Sequence, residues 1–443
     1  MPGPAGIPTV GRMQTLTYTT AIDIAAQVRA GRLTPREAVD ASLARIAAED
    51  PGIGAFQLVD AEGARRAADD LVGRDLTGMA LAGVPVAVKD NIDVAGLPTR
   101  HGSAATPAGP AHRDDPMVAR LRAAGAVIVG KTRMPELAIW GFTESQAFGG
   151  TRNPRDRTRN AGGSSGGSGA AVAAGMVPLA IGSDGGGSLR IPAAHCGVVG
   201  LKPGRGVTAL ASDHWYGCTA YGPIAGTVAD AALALDVLAG TDGFRRVEAG
   251  GALRFAVSTR SPSPIGRPDR AARSSVSQAA SLLGDVVRAD PPYPRTLINQ
   301  WVRYWLAGVA AEVSSRGLDV SRLEPRTRAV VARGRRARHR PADAVAWRAR
   351  ALDWFAATGV DVLVTPVVAQ AAPVAGWGTG VGYLRAYLNA ARSIPYTPVW
   401  NLAGLPALSL PLGGTAGRPG AVQLVAPDET TLLRGAALLE RLS

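Results

Sequence analysis

Two clusters of glycine and serine, GGSSGGSG over 162–169 and GSDGGGS over 182–188, flank the run AAVAAGMVPLAI. A flexible linker has no use for such a neighbour. Residues with no Cβ, or with only a methyl group, let one backbone approach another, so 168–174 reads as a helix packed where only Gly and Ala fit. The strand VPLAIG follows it at 177–182. Where that strand ends the second cluster begins, and its three successive glycines before Ser188 leave backbone N–H groups unobstructed. Such a nest suits either a phosphate or the oxyanion of an acyl-transfer intermediate. The phosphate reading needs GxxxxGK[ST], or GxGxxG in a strand-to-helix turn, and neither cluster supplies the lysine or the spacing.

The surrounding chain reads as alternating elements. Residues 20–30 and 35–49 have amphipathic helical periodicity, and the second opens on a capping box in which Thr34 caps, Pro35 fills the first turn and Glu37 reaches back. GVPVAVKD (83–90) is a short β-rich run; residues 114–132 then give a helix, a glycine stop and a second buried strand. That alternation predicts an α/β fold with a largely buried sheet. Further helices are expected at 227–240, 268–284 and 428–441, the last capped by Asp428, with strands at 253–257 and 361–366. The loops at 242–252 and 258–267 are too short to read as domain linkers, so one large domain over 1–443 is the expectation.

Composition removes several function classes. No window of the 443 residues reaches the roughly 18 unbroken apolar positions of a membrane span, and the N-terminus lacks the apolar region of a signal peptide, which predicts a cytoplasmic protein. Cys196 and Cys218 lack CxxC spacing and read as buried reduced thiols; the five histidines show no HExxH or similar pairing, so no metal or other cofactor is expected. The formal net charge is +13, and Arg326–Arg340 is the densest basic run. It lacks interleaved aromatics for base stacking and reads as a solvated helix face or loop, which argues against a nucleic-acid partner.

The basic side chains say more than the net charge. Of 48, all but Lys89, Lys131 and Lys202 are arginine. Arginine stays protonated above pH 12, whereas a buried lysine can be neutral and act as a base, so a lysine surviving in an arginine-biased chain is a candidate base. All three lie in the region that carries the glycine and serine clusters.

Taken together, AVKDN (87–91), GGSSGGSGAAVAAG and GSDGGGSLRIPAAHCGVVGLKP resemble the amidase signature family. The likeness continues through GKTRMPELA, GPIAGTVAD, DVLVTPV and NLAGLPALSLPLG, in that order. The resemblance implies one mixed twisted central sheet flanked by helices on both faces, a signature core at about 80–240, and cofactor-free hydrolysis of carbon–nitrogen bonds by a Ser-Ser-Lys triad. On this sequence Ser188 matches the nucleophile, Ser164 the bridging serine, which in the family follows a cis peptide, and Lys89 the base. The backbone of Gly185, Gly186, Gly187 and Ser188 matches the oxyanion hole. Without a base a serine hydroxyl is a poor nucleophile, and the chain offers no Ser-His-Asp arrangement, so a neutral Lys89 acting through Ser164 is chemically consistent.

Around the triad, Ser165, Ser168 and Ser183 are expected to cap and support, Asp184 and Arg190 to orient the nucleophile loop, and Lys131 and Lys202 to be structural. His195 and His214 read as packing or hydrogen-bonding residues. Gly185 stands where Thr or Ile is commoner in the family, which would loosen the oxyanion loop or admit a bulkier acyl group. The variable segment at about 242–360 has no recognisable counterpart. Trp301, Tyr304 and Trp305 at helical spacing, with Trp215, Tyr216, Trp377, Tyr383 and Trp400, read either as core or as an apolar funnel. The funnel favours a small-molecule substrate: hydrophobic or aryl amides, or carbamates (urethanes) and ureas. The alternatives are a glutaminase-like subunit of a tRNA-dependent amidotransferase and a non-catalytic member; the oligomeric expectation is monomer or homodimer.

Overall fold

The computed structural model describes residues 20–208, 214–247, 252–415 and 418–443. Eleven strands form one sheet: β1 (Phe56–Val59), β2 (Pro85–Lys89), β3 (Val127–Thr132), β4 (Leu179–Asp184), β5 (Val199–Lys202), β6 (Ala220–Ala225), β7 (Phe255–Val257), β8 (Val286–Arg288), β9 (Val362–Pro366), β10 (Ala407–Thr415) and β11 (Arg418–Val425). Their order across the sheet is β1-β3-β2-β4-β6-β5-β10-β11-β9-β7-β8. Parallel pairs β3·β2·β4 and β9·β7·β8 sit on either side of an antiparallel centre, so the sheet is mixed.

Alternation along the strands divides the core. Val86, Val88, Leu179, Ile181, Val362, Val364, Leu408 and Leu410 face one layer of helices, which includes Ala21–Arg29, Pro116–Ala123, Val228–Ala239 and Glu429–Leu442. The intervening Ala87 and Ala180 face Pro35–Ile53 and Gly166–Ala173. Ala256, Leu363 and Ala407 face Leu297–Ser315 and Pro341–Thr358. Successive side chains of a strand point to opposite faces, and both faces are covered, so β2 and β4 are buried at every position.

The expected elements are present with shifts that matter. The Thr34 capping box is complete, Asp428 caps the last helix, and Cys196 and Cys218 are buried and not joined in a disulfide. The helix after GGSSGG starts at Gly166, and the next strand is Leu179–Asp184 rather than 177–182, because Gly182, Ser183 and Asp184 pair with Gly222, Tyr221 and Ala220. That extension holds Ser183 and Asp184 in the sheet. The variable segment is largely helical: Arg270–Leu283, Leu297–Ser315, Pro325–Gly334 and Pro341–Thr358.

The basic run is not wholly a solvated face. Arg328, Arg333, Arg335, Arg336, Arg338 and Arg340 are exposed, but Arg326 is buried. It pairs with Glu324 at 2.7 Å, donates to the carbonyls of Glu144 and Gly378, and lies over the Phe142 ring. A guanidinium with several fixed acceptors is compatible with burial, and here it clamps Pro325–Gly334 onto the body of the protein. Among the described residues no helix is long and apolar enough to cross a membrane.

Candidate active site

β2 and β4 are parallel neighbours, so Lys89 and Asp184 emerge at the same carboxyl edge of the sheet, the usual position for a site in such folds. Lys89 shares a face with Ala87 and therefore points toward Gly166–Ala173, the helix that follows Ser164 and Ser165. The first turn of that helix can sit so close to its neighbours only because Gly166 and Gly167 carry no side chain. A Cβ on Gly166 would lie 2.2 Å from Thr143 Oγ1, and one on Gly167 would lie 2.3 Å from the Ala55 carbonyl. The Gly163–Ser164 peptide is cis, as the resemblance implies.

Lys89 is wholly buried. Its Nζ donates to Ser164 Oγ at 2.7 Å and to Ser183 Oγ at 2.9 Å, and Asn91 Nδ2 also reaches Ser183 Oγ at 3.1 Å. Burial pulls the Lys89 ammonium down to about 7, against the opposing pull of the Asp184 and Glu312 carboxylates. Lys202, equally buried, is also pulled to about 7, so titration alone does not single out a base. The partners do: Lys202 Nζ donates to the Pro203 carbonyl at 2.7 Å, whereas Lys89 touches two hydroxyls. Lys131 is held by Asp90 at 3.5 Å and by Thr99 Oγ1 at 3.1 Å, a structural arrangement.

Ser188 lines a small cavity together with Ser164 and Ser183, and this shared space, rather than a hydrogen bond, links it to the lysine. The loop that presents it is held from below. Asp184 Oδ1 accepts the Gly187 N–H at 2.6 Å and Oδ2 the Leu189 N–H at 3.2 Å. The Gly187 N–H is thus committed to a carboxylate, which corrects its expected place in the oxyanion hole. Gly185, Gly186 and Ser188 are the remaining candidate donors. Gly187 also has φ 121°, and a Cβ there would lie 2.2 Å from Thr397 Oγ1, so glycine is required for geometry rather than for donation.

Arg190 donates to Asp184 Oδ2 and Oδ1, both at 2.9 Å, and also to Asn401 Oδ1, Gln423 Oε1 and the Thr397 carbonyl. Burial alone would raise the Asp184 pKa, but the charge and hydrogen bonds of Arg190 overrule it and keep the carboxylate ionised. Ser165 supports differently from expectation. It makes no capping bond; its Oγ donates to the Ser183 carbonyl at 3.2 Å. Ser168 shares a 2.7 Å hydrogen bond with Thr132. His195 is half-buried, with its pKa lowered by desolvation to about 4, and His214 packs by Tyr221.

Two further findings alter the sequence reading. The space above Gly185 is not open, since a Cβ there would lie 2.7 Å from Trp215 Cε3, so the missing side chain is replaced by an indole ring. The aromatic residues also divide. Trp215, Trp301 and Trp305 line an apolar cavity that reaches Ser188, with Ile139, Trp140 and Ile298. Trp301 Nε1 donates to the Gly185 carbonyl at 2.9 Å, tying the cavity wall to the loop. Trp400 is core beside Trp347, Tyr304 bonds the Arg340 carbonyl, and Trp377 packs against Phe142.

Asn401, Thr397, Gln423, His101 and Glu312 were not singled out from the sequence. Asn401 belongs to the NLAGLP segment, which carries part of the resemblance but gives no hint that its amide reaches Asp184. Among the described residues no group of three or more His, Cys, Asp or Glu is placed to hold a metal ion.

A family model described as Amidase matches residues 37–283 and 285–433. The chain is 41% identical to the protein named "Putative amidase AmiB2" of Mycobacterium tuberculosis (strain ATCC 25618 / H37Rv), with 96% of each chain covered. Its structure is similar to that of 6-aminohexanoate cyclic dimer hydrolase, at TM-score 0.84, 32% identity and 96% of both chains. It is also similar to a bacterial aryl acylamidase, at TM-score 0.82, 25% identity and 96% of both chains.

Proposed function

The chain belongs to the amidase signature family, whose chemistry is hydrolysis of amide carbon–nitrogen bonds, and from that premise we propose that it cleaves small hydrophobic or aryl amides through an acyl-enzyme on Ser188. The observation that carries this reading is the 2.7 Å contact of a buried lysine with Ser164, in a cavity shared with Ser188. Neutral Lys89 accepts the Ser164 proton as Ser164 takes that of Ser188, and Ser188 Oγ bonds to the substrate carbonyl carbon. The oxyanion is met by N–H groups of the Gly185–Ser188 loop, which Asp184 and Arg190 hold in place. The proton then returns from Lys89 through Ser164 to the leaving nitrogen, the C–N bond breaks and the amine departs. Water attacks the acyl-enzyme through the same relay, which releases the acid and restores Ser188.

The apolar cavity beside Ser188 supports a hydrophobic acyl half and offers a glutamine side chain little, which weighs against the amidotransferase-like alternative. Carbamates and ureas present the same carbonyl to the same loop and belong in the test. The test is kcat/KM of the purified chain on anilides, aliphatic amides, carbamates, ureas and glutamine at one pH. Hydrophobic amides should lead; a clear preference for glutamine would overturn the reading.

A further inference from the structure

Ser188 stands where two unlike spaces meet. On one side is the apolar cavity of Trp140, Trp301 and Trp305, with Tyr387 the one ionisable group among the described residues of its wall. On the other is a small polar chamber lined by Asn91, His101, Ser164, Ser183, His214 and Glu312. Trp215 lines both. A wider polar space adjoins the chamber, sharing Asn91, His214, Trp215 and Glu312 with it, and is bordered further by Asp93, Asp115, Tyr216, Tyr221 and Arg316.

The two sides are not interchangeable for the chemistry. Ser164 borders the polar chamber and not the apolar cavity. The leaving nitrogen must receive its proton from Ser164, so the amine half of the substrate lies on the chamber side and the acyl half on the tryptophan side. The chamber walls then describe that amine half. Among the described residues, three carboxylates, Asp93, Asp115 and Glu312, and one guanidinium, Arg316, border this space, and Arg316 pairs with Glu312 at 3.2 Å. The rings of Trp215, Tyr216 and Tyr221 border the same space, and carboxylate with aromatic faces is the chemistry that recognises an ammonium. Independently, His101, a lining residue of the inner chamber, is buried at 3% exposure, and its Nδ1 has no hydrogen-bond partner. A buried polar atom left unpaired is costly unless something occupies the space before it.

We propose that this chamber is the amine-side subsite and that it takes amine halves carrying a second protonated amino group, so that the preferred substrates are ω-ammonioalkyl amides of apolar acids. This rests on the acyl-enzyme reading above. The reaction balances as RCONH–(CH2)n–NH3⁺ with water giving RCOO⁻ and the doubly protonated diamine; no other reactant is needed. Glu312 is the anchor of the distal ammonium, because it borders both the inner chamber and the outer space.

The test compares the phenylacetic amides of 1,4-diaminobutane and of pentylamine, which differ in a terminal ammonium against a methyl group. The wild type should favour the ammonium amide by about tenfold or more in kcat/KM, within the reach of one desolvated cation site. In Glu312→Gln the ratio should fall to within about threefold of unity; a ratio cancels any effect of the variant on the relay that is common to both substrates. Moving the ammonium to the acyl half, as in the pentylamide of 5-aminopentanoic acid against that of hexanoic acid, should reverse the preference. Should Glu312→Gln not fold, inhibition of the wild type decides: 1,4-diaminobutane must inhibit more strongly than butylamine. Equal rates for the two phenylacetic amides, an unchanged ratio in the folded variant, or equal inhibition by the two amines would each overturn the subsite while leaving the amidase reading intact. Absence of turnover on every amide would instead overturn the amidase reading, and the subsite with it.

Discussion

Gly185 and Trp215 share one volume: a Cβ on Gly185 would lie 2.7 Å from Cε3 and 2.8 Å from Cζ3 of the indole. Trp215 has φ 52°, a conformation a bulky residue rarely adopts, and its Nε1 points to Glu312 at 3.4 Å. The ring thereby separates the apolar cavity from the polar chamber and closes over the backbone of the nucleophile loop.

Gly185→Thr should therefore lower both kcat/KM and melting temperature, because the ring must move or the loop must bend, at a cost on the order of 1–3 kcal/mol. Combined with Trp215→Ala, the same change should cost much less. A double-mutant cycle on stability measures the coupling. Strict additivity would show that the two residues do not compete for space.

Arg190→Lys tests the support beneath the loop. The pair with Asp184 is wholly buried, and the guanidinium serves four acceptor groups, of which an ammonium with three donors and no fork can satisfy fewer. Deleting one partner of a buried pair costs about 3–5 kcal/mol, and Lys, which keeps the charge but loses the fork, should cost part of that, so the urea midpoint should drop and kcat should fall in the folded fraction. A variant with wild-type midpoint and turnover would make the network dispensable.

These two contacts show where sequence reading ends. Thr34, Pro35 and Glu37 satisfy each other within four positions, so their box is legible from spacing alone, and Val86, Ala87 and Val88 betray a strand buried on both faces. Lys89, Ser164 and Ser188 were accessible because the resemblance names their positions and the arginine bias isolates the lysine. Trp215 over Gly185 and Asn401 on Asp184 are contacts between chemically ordinary residues, the second spanning 217 positions, and no local pattern encodes them. Arg326 failed for a related reason: its acceptors are carbonyls of distant segments, and backbone oxygens leave no trace in composition.

Ser188 should carry the acyl group. A fluorophosphonate or a slow ester should add one adduct to the intact mass, absent in Ser188→Ala and retained, at reduced rate, in Ser164→Ala. An adduct that survives in Ser188→Ala would assign the attack to another nucleophile. Cys196 is the natural suspect to exclude, but burial pushes its thiol up to about 12, which leaves it protonated and inert near neutrality.

Lys89 gives the most demanding test, because the proposed chemistry needs its neutral form. With the folded-state pKa lowered to about 7, the neutral fraction is nearly complete above pH 8, and kcat/KM should fall about tenfold per pH unit below pH 6. The linkage has a definite sign. An unfolded lysine titrates near the ordinary 10.5, so between about 7 and 10.5 the unfolded chain binds the extra proton and Lys89 makes stability rise with pH across that window. Lys89→Met removes the amine without leaving a buried charge; it should lose about 10² to 10⁴-fold in kcat, reduce the slope of the stability profile in that window to what Lys202 still contributes, and fold at least as well as the wild type at pH 7. Lys89→Arg should be as inactive but less stable, since a guanidinium cannot shed its proton in the same buried site. Activity and melting curves of both variants separate the proton-accepting role from a structural one. Wild-type turnover in either would mean that Ser188 is activated by another base.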